Sequence, residues 1–296
     1  MDHDIVNAIS QGRFNHDEAT SKELTVMRGL ALRKSKTDPT AVRPIAIGVI
    51  FMNMATGVTA RRHRAQFMNI AGPHQMGAGV PSGISAAGKI MQAGLIINPG
   101  SGVGWEDATN AFNSLKKVIM LEASAKVPGT EPIAALRFGR DAGITYSYRD
   151  GVSNEVNNID ITQTIGGAQG DSLTGLLYVA ATGPIITEAI ATSGASLNAR
   201  ADVIDDLGWV APVADLISAS NAVSAALLGV GVQNSPLHIY KPGGPSDAER
   251  AALDDIGAVI MDDGVVYAGT PIGEDSFLKD WAMNRVNIII NNFDAV

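Results

Sequence analysis

The hydrophobic pattern changes period repeatedly along the chain, and those changes delimit the predicted elements. Residues 1–22 are polar and without periodicity, which reads as a loose lead-in. Leu24–Leu32 supports a short strand or helix and ends in the basic loop R-K-S-K-T-D-P-T, with a turn signal at Asp38-Pro39. Val42–Gly48 (V-R-P-I-A-I-G) sets Arg43, Ile45 and Ile47 against smaller residues, a strand pattern in which Pro44 fixes one φ. Val49–Arg64 reads as a helix with basic residues in its last turn, where the macrodipole favours them. A glycine-rich loop, His74–Gly83, leads into an apolar helix over Ile84–Ala93.

Beyond the run W-E-D-A-T-N-A-F-N (Trp105–Asn113), Phe112–Ser124 and Glu131–Phe138 have helical spacing. Ile144–Arg149 and Ile159–Ile165 alternate on either side of a turn at Asp150-Gly151, predicting a hairpin. From Ser172 the period is helical again, and Asp171 or Ser172 can cap that helix. Ala201–Ile204 and Gly208–Ala211 predict a tight hairpin whose turn holds Asp205 and Asp206. Asp215–Leu228 is helical, Gly229–Gln233 and Pro236–Tyr240 look extended, and Ser246–Glu249 is a capping box for a helix ending at Gly257. Ala258–Met261 and Val265–Ala268 predict a last hairpin around Asp262-Asp263-Gly264. Helix and strand alternate without βαβ regularity or internal repeats, so the fold class is α+β.

Composition adds few constraints. The 296 residues are 46% hydrophobic and 18% charged, a globular balance able to fill a sizeable core. There is no cysteine, which excludes disulfides and thiolate metal sites and fits a reducing compartment. The first residues, M-D-H-D-I-V-N, are too acidic and polar for a signal peptide. The apolar stretches near Ile45–Val58 and Leu173–Ile190 are interrupted by Gly, Asn, Pro or Glu188, so no membrane partner is expected.

Charge distribution changes the picture more than the net value of −8. Residues 28–64 carry eight basic side chains against Asp38 alone, whereas residues 247–275 carry eight acidic ones against Arg250. A basic segment of this kind can hold a phosphate backbone despite an acidic total; ordinary solvated surface is the competing explanation.

The candidate chemistry rests on carboxylates. Nucleotidyl transfer needs divalent cations held by aspartates brought from distant sequence onto neighbouring strands. Asp107, at a strand-to-helix junction, and Asp205-Asp206, in a hairpin turn, suit that task. Taken singly, each is more often a turn or cap. The loop G-A-G-V-P-S-G has neither dinucleotide-fingerprint nor P-loop spacing, so it reads as a loop before a helix.

Five segments, in order, resemble the reverse transcriptase domain of non-LTR retrotransposons over about residues 25–280. V-R-P-I-A-I-G is similar to that family's R-P-I segment, and Q-M-G-A-G-V-P-S-G to the Q-x-G-x-G loop of one branch. E-D-A-T-N-A-F-N-S resembles its D-x-x-N-A-F block, and A-Q-G-D-S-L-T-G-L-L-Y its Q-G-D-P-L block. G-V-V-Y-A-G-T-P-I-G-E-D resembles its late hairpin. The family's aromatic-x-Asp-Asp signature has two contenders. V-I-D-D (Val203–Asp206) keeps both acids and P-V-A-D (Pro212–Asp215) keeps one. The interval from Gln169 favours the first. Departures include Val203 for the aromatic, Ser172 for the usual Pro, Thr109 for a frequent Lys, Leu237 for the Lys of an L-N-x-x-K pattern, and a glycine-rich strand before Asp107.

The resemblance implies a right-hand polymerase with fingers and palm, the palm an antiparallel sheet backed by helices and the thumb largely missing. The implied divisions are a lead-in at 1–24, basic fingers at 25–104, a catalytic palm at 105–275 (121–165 packing on the fingers), and a short tail at 276–296. It implies two Mg²⁺ or Mn²⁺ ions on Asp107 and Asp205, with Asp206 assisting. Arg43 with Lys36 or Lys34 would meet the triphosphate, and Phe112 would lie under the sugar. Gln169 and Gly170 would line the nascent base pair, and Tyr267–Gly273 would support the primer end. The implied activity is RNA-directed DNA polymerisation on an RNA or DNA template with primer and dNTP, inside the cell. The alternatives are a degenerate relative without polymerase activity, acting as a binding module, and an unrelated glycine-rich α/β binding protein, which the ordered motif set disfavours.

Overall fold

The structure, a computed structural model, describes residues 3–34, 38, 42–149 and 153–293. In chain order it begins with α1 (His3–Ser10), α2 (Glu18–Thr25), β1 (Met27–Arg33), β2 (Val42–Gly48) and α3 (Ile50–Ala71). Then come α4 (Gly83–Ile97), β3 (Gly102–Thr109), α5 (Ala111–Ser114), α6 (Lys117–Ala125) and α7 (Glu131–Phe138). β4 (Ala142–Arg149), β5 (Val156–Gln163), α8 (Thr174–Ser193), β6 (Ala199–Val203), β7 (Asp206–Ala211) and α9 (Val213–Gly229) follow. The chain continues through β8 (Gln233–Asn234), β9 (His238–Tyr240), α10 (Asp247–Asp255), β10 (Val259–Met261), β11 (Gly264–Tyr267), β12 (Thr270–Gly273) and α11 (Asp275–Phe293). The class is α+β.

Two compact units interleave along the sequence. The first comprises Met1–Gly72, Asn110–Pro184 and Val230–Val232; the second comprises Pro73–Thr109, Ile185–Gly229 and Gln233–Val296.

In the first unit, a four-stranded sheet runs in the order β2-β1-β4-β5. β1 pairs antiparallel with β2 and parallel with β4, and β4 pairs antiparallel with β5. The β4–β5 pair is the expected hairpin, closing with Arg149 opposite Val156, and the residues of the expected Asp150-Gly151 turn lie outside the described ones. Met27, Ala46, Ala142, Ile144 and Ala168 form a buried cluster on this sheet. The first residues are not a loose lead-in. They form α1 and α2, because Val6 and Ile9 give α1 a buried stripe against α3, and Asp17 caps α2 by accepting from the Thr20 N–H.

Two other helix expectations need correction. α3 continues two turns past Arg64, so Arg61, Arg62 and Arg64 sit mid-helix, out of reach of the C-terminal dipole. The helix expected over Phe112–Ser124 is broken at Leu115 and Lys116, where Leu115 is extended (φ −62°, ψ 127°). α5 is therefore a single turn before α6.

The second unit is built on a sheet ordered β10-β9-β3-β7-β6, with β8 on the end of β3. All pairs are antiparallel except β9–β10. α4 packs on β6 and β7, and α9 on β3 and β7. Ala87, Met91, Val103, Ala201, Val210 and Tyr267 belong to the cluster between the sheet and α4. The last predicted hairpin is displaced: β10 pairs with β9, and the tight turn falls at Ala268-Gly269, joining β11 to β12. Both turn residues have positive φ (47° and 75°), the requirement of a primed hairpin turn, which Asp262-Asp263 does not meet. The short tail expected after residue 275 is helix α11.

α8 is long and apolar enough to cross a membrane by length and composition, but 61% of its most apolar window is buried within the protein. It is a core helix.

Candidate active site

Strand β3 presents two different faces. With period-two alternation, Val103, Trp105 and Asp107 share one face, and Gly104, Glu106 and Ala108 share the other. Gly104 is there for close packing, since a Cβ would lie 3.0 Å from Leu237 and 3.2 Å from Leu216. The glycine-rich strand is thus not an under-packed one. It is central in its sheet, and Gly102, Val103 and Gly104 are all buried.

Across the ladder, Asp107 is the register partner of Asp206. Directly opposed residues in an antiparallel pair share a face, so both carboxylates leave the sheet on the same side. Asp205 occupies the β6–β7 turn, and its carbonyl accepts from the Ala108 N–H at 3.2 Å. Asp206 is pushed up to about 7, first by burial, then by the charges of Asp205 and Asp107. Asp215, the rival of the second signature contender, lies in the first turn of α9, off this ladder.

The backbone under Asp107 is pinned by one residue. Ser235 Oγ accepts from the Asp107 N–H (3.0 Å), and the Ser235 N–H donates to the Asp107 carbonyl (2.7 Å). On the opposite face, buried Glu106 accepts from Ser220 Oγ, from Asn234 Nδ2 at 2.7 Å and from Ser224 Oγ at 3.3 Å. Its carboxyl is raised above the ordinary value because burial outweighs these three hydrogen bonds. Trp105 stacks on His238, ring centroids 4.4 Å apart and planes 18° from parallel. Tyr267 is buried, donating to the Ala201 carbonyl and to that of Asp206 at 3.2 Å. Gly208 makes room for it, since a Cβ there would lie 2.5 Å from the tyrosine ring. Sequence reasoning missed Glu106, Ser220 and Ser235. The E-D pair and the N-S dipeptide were visible, but nothing in spacing joins residues more than a hundred positions apart.

Among the described residues, no group of three or more His, Asp or Glu side chains forms a ready-made metal cage. Mg²⁺ is commonly held by only one or two carboxylates, with phosphates and water completing the shell. Asp107 and Asp206, register partners across β3 and β7 with Asp205 in the adjoining turn, offer carboxylates of that kind.

The first unit holds the other predicted residues. Gln169 bridges to Ile45 of β2, its carbonyl accepting from the Ala46 N–H at 3.0 Å. Arg43 is exposed on β2, two residues before Ile45. Gly170 has φ +126°, and a Cβ would lie 2.9 Å from the Ala46 carbonyl oxygen, so this junction requires glycine. Phe112 packs edge-on against Tyr178 (5.4 Å, 76°), and its carbonyl accepts from the Gly167 N–H. Asp171 pairs with Arg137 at 2.9 Å, both buried, and also caps α8 by accepting from the Leu173 and Thr174 N–H groups. Lys36 lies outside the described residues; Lys34 is exposed.

A carboxylate-bearing antiparallel hairpin thus lies against a central strand, with helices behind. No family model and no curated protein matches the sequence. Solved structures match its fold. Telomerase from Candida albicans, in complex with the TWJ fragment of telomeric RNA, superposes with a TM-score of 0.58 at 8% identity, over 88% of this chain and 47% of that one. Apo telomerase from Candida tropicalis truncated from its C-terminal domain gives 0.57 at 12% identity, over 92% and 59%. A further apo telomerase from Candida tropicalis gives 0.53 at 10% identity, over 92% and 52%. The chain spans roughly half the length of these structures.

Proposed function

We propose that the chain is an RNA-directed DNA polymerase domain of non-LTR retrotransposon type, transferring a nucleotide from a dNTP to a primer 3′-hydroxyl. The observation that carries this reading is the pairing of Asp107 with Asp206 across β3 and β7, with Asp205 in the turn beside them. β3, β6 and β7 would be the palm, and β1 and β2 part of the fingers. The telomerase likeness supports the polymerase class, and an RNA complex in one of those structures supports a nucleic-acid partner.

Asp107 and Asp205, assisted by Asp206, would hold two Mg²⁺ or Mn²⁺ ions, which when bound neutralise the charge on the attacking and leaving oxygens. The protein's own part is placement. Ser235 fixes the Asp107 backbone, and the β6–β7 turn fixes Asp205. Arg43, with Lys34 or Lys36, would neutralise the triphosphate, Gln169 and Gly170 would line the base pair, and Phe112 would meet the sugar. Tyr267–Gly273, in the β11–β12 hairpin, would support the primer end.

Primer extension on poly(rA)/oligo(dT) with Mg²⁺ or Mn²⁺ tests this. Incorporation by the wild type, abolished in Asp107→Ala and Asp205→Ala, is the expected result; equal activity in wild type and Asp205→Ala refutes the site. A second reading, a relative that binds without polymerising, is favoured by Leu237. The residue at the family's lysine position is an apolar side chain only 3% exposed. Binding of a primer–template without incorporation would establish it.

A further inference from the structure

Ile204 is the residue immediately before Asp205, and its backbone is in the left-handed region, φ +60°. For a β-branched residue this conformation is strained and persists only where its surroundings over-determine it. One side chain holds both backbone polar groups of Ile204. Gln75, buried, accepts the Ile204 N–H on Oε1 at 2.8 Å and donates from Nε2 to the Ile204 carbonyl at 3.3 Å. The same Oε1 accepts the Gly77 N–H at 2.9 Å, which fixes the amide's orientation from its own loop.

The loop is itself anchored to β6. The Met76 N–H donates to the Asp202 carbonyl at 2.7 Å and the Asp202 N–H to the His74 carbonyl at 2.8 Å, a parallel bridge centred on Gln75 and Asp202. Two glycines of the Q-M-G-A-G-V-P-S-G segment follow from this geometry. A Cβ on Gly77 would lie 2.8 Å from the Ile204 nitrogen, and one on Gly83 would lie 1.9 Å from the Met76 carbonyl oxygen. Both would push the loop off the turn. The glycine-rich segment is therefore shaped to a protein turn rather than to a phosphate.

We propose that Gln75 is a positioning residue for the polymerase site, holding Ile204 in its left-handed conformation and thereby setting the direction in which Asp205 and Asp206 leave the hairpin. The proposal rests on the polymerase reading for its catalytic consequence, while the clamp itself does not. A mainly local role predicts a particular pattern. Gln75→Met keeps the volume and removes all three hydrogen bonds, so it lowers kcat by about tenfold to a hundredfold, as loss of an outer-shell partner does at metal sites. The KM for dNTP stays within about twofold, because a residue that only orients the carboxylates acts on the transition state rather than on ground-state binding. Ile204→Gly alone is the reference against which the double variant is read. In the Gln75→Met background it restores much of kcat, since glycine adopts positive φ without support.

The experiment combines steady-state primer extension on these four proteins with amide hydrogen exchange on wild type and Gln75→Met. In wild type, the Ile204 amide should exchange as slowly as the β7 ladder amides, and in Gln75→Met it should be selectively fast. An unprotected Ile204 amide in wild type overturns the clamp, even if Gln75→Met cannot be folded. Unchanged kcat in Gln75→Met, or no rescue by Ile204→Gly, overturns its catalytic role. A wild type without incorporation but with a protected, Gln75-dependent Ile204 amide would refute the polymerase reading and leave the clamp standing.

Discussion

Asp206 stands directly across the β3–β7 ladder from Asp107, and its carboxyl is raised to about 7 by burial and by the charges of Asp205 and Asp107. The sign of the consequence follows. A carboxyl whose folded value exceeds its unfolded one stabilises the protein when protonated, and that contribution is lost as pH rises through the folded value. The metal-free protein should therefore lose stability from Asp206 between about pH 4 and pH 7. Thermal unfolding across that window in wild type and Asp206→Asn checks this: the variant should show a flatter profile. Added Mn²⁺ should raise the wild-type midpoint more at pH 8 than at pH 6, because the cation binds the deprotonated pair.

Glu106 raises a related question on the other face of β3. Its carboxylate is the shared acceptor for Ser220, Asn234 and Ser224, and burial lifts it above its ordinary value of 4.5. Stability from this group is again greatest below that value and declines as pH rises through the raised one. Glu106→Gln keeps the shape and most hydrogen bonds without the charge, so it should be neutral or stabilising at pH 8. Glu106→Ala leaves three donors without their acceptor and should cost on the order of 1–3 kcal/mol or more. Equal midpoints for Glu106→Ala and wild type in urea titrations would show that the cluster contributes nothing.

The pair Arg137–Asp171 makes a sharper stability prediction in the first unit. Both side chains are almost wholly buried, 3% and 1% exposed, and Asp171 also caps α8. Removing one member leaves an unpaired buried charge, at a cost of about 3–5 kcal/mol, and loss of the cap adds about 1 kcal/mol. Asp171→Ala should therefore be much less stable than Arg137→Met with Asp171→Leu, in which both charges are replaced by apolar side chains. Chemical denaturation of the three proteins measures the difference, and a double variant as unstable as Asp171→Ala would exclude the charge argument.

How far this could be read from sequence depends on the distance over which each decision is made. β2, α7 and the α10 capping box were legible because alternation, helical spacing and S-D-A-E are local signals. The β6–β7 hairpin was legible for the same reason, and with it the position of Asp205. The break between α5 and α6 was not, because continuous apolar spacing conceals an extended Leu115 whose neighbour Lys116 donates its N–H to the Val230 carbonyl. Asp-Asp-Gly is the commoner local turn signal, whereas strand β10 is claimed by β9 and the chain turns six residues later. Glu106 and Gln75 lay furthest from view: their partners are more than a hundred residues away, and only the folded sheet brings them together.

Leu237 tests whether the departure from the family pattern is a lost function or a structural replacement. The resemblance places a lysine there, yet Leu237 is buried, and its side chain lies where a Cβ on Gly104 would contact it. Gly104 and Leu237 therefore fit as a pair within the central strand's packing. Leu237→Lys would put an ammonium into the apolar contact with Gly104 and Leu216, a change expected to cost several kcal/mol. The variant should lower the unfolding midpoint and should not raise incorporation over wild type. Gly104→Ala alone should also destabilise, because the new methyl meets Leu237 at 3.0 Å, and Leu237→Val with Gly104→Ala should recover part of that loss. A Leu237→Lys protein of wild-type stability and increased primer extension would mean instead that the lysine reaches the nucleotide, and that its absence here is a loss of catalytic function.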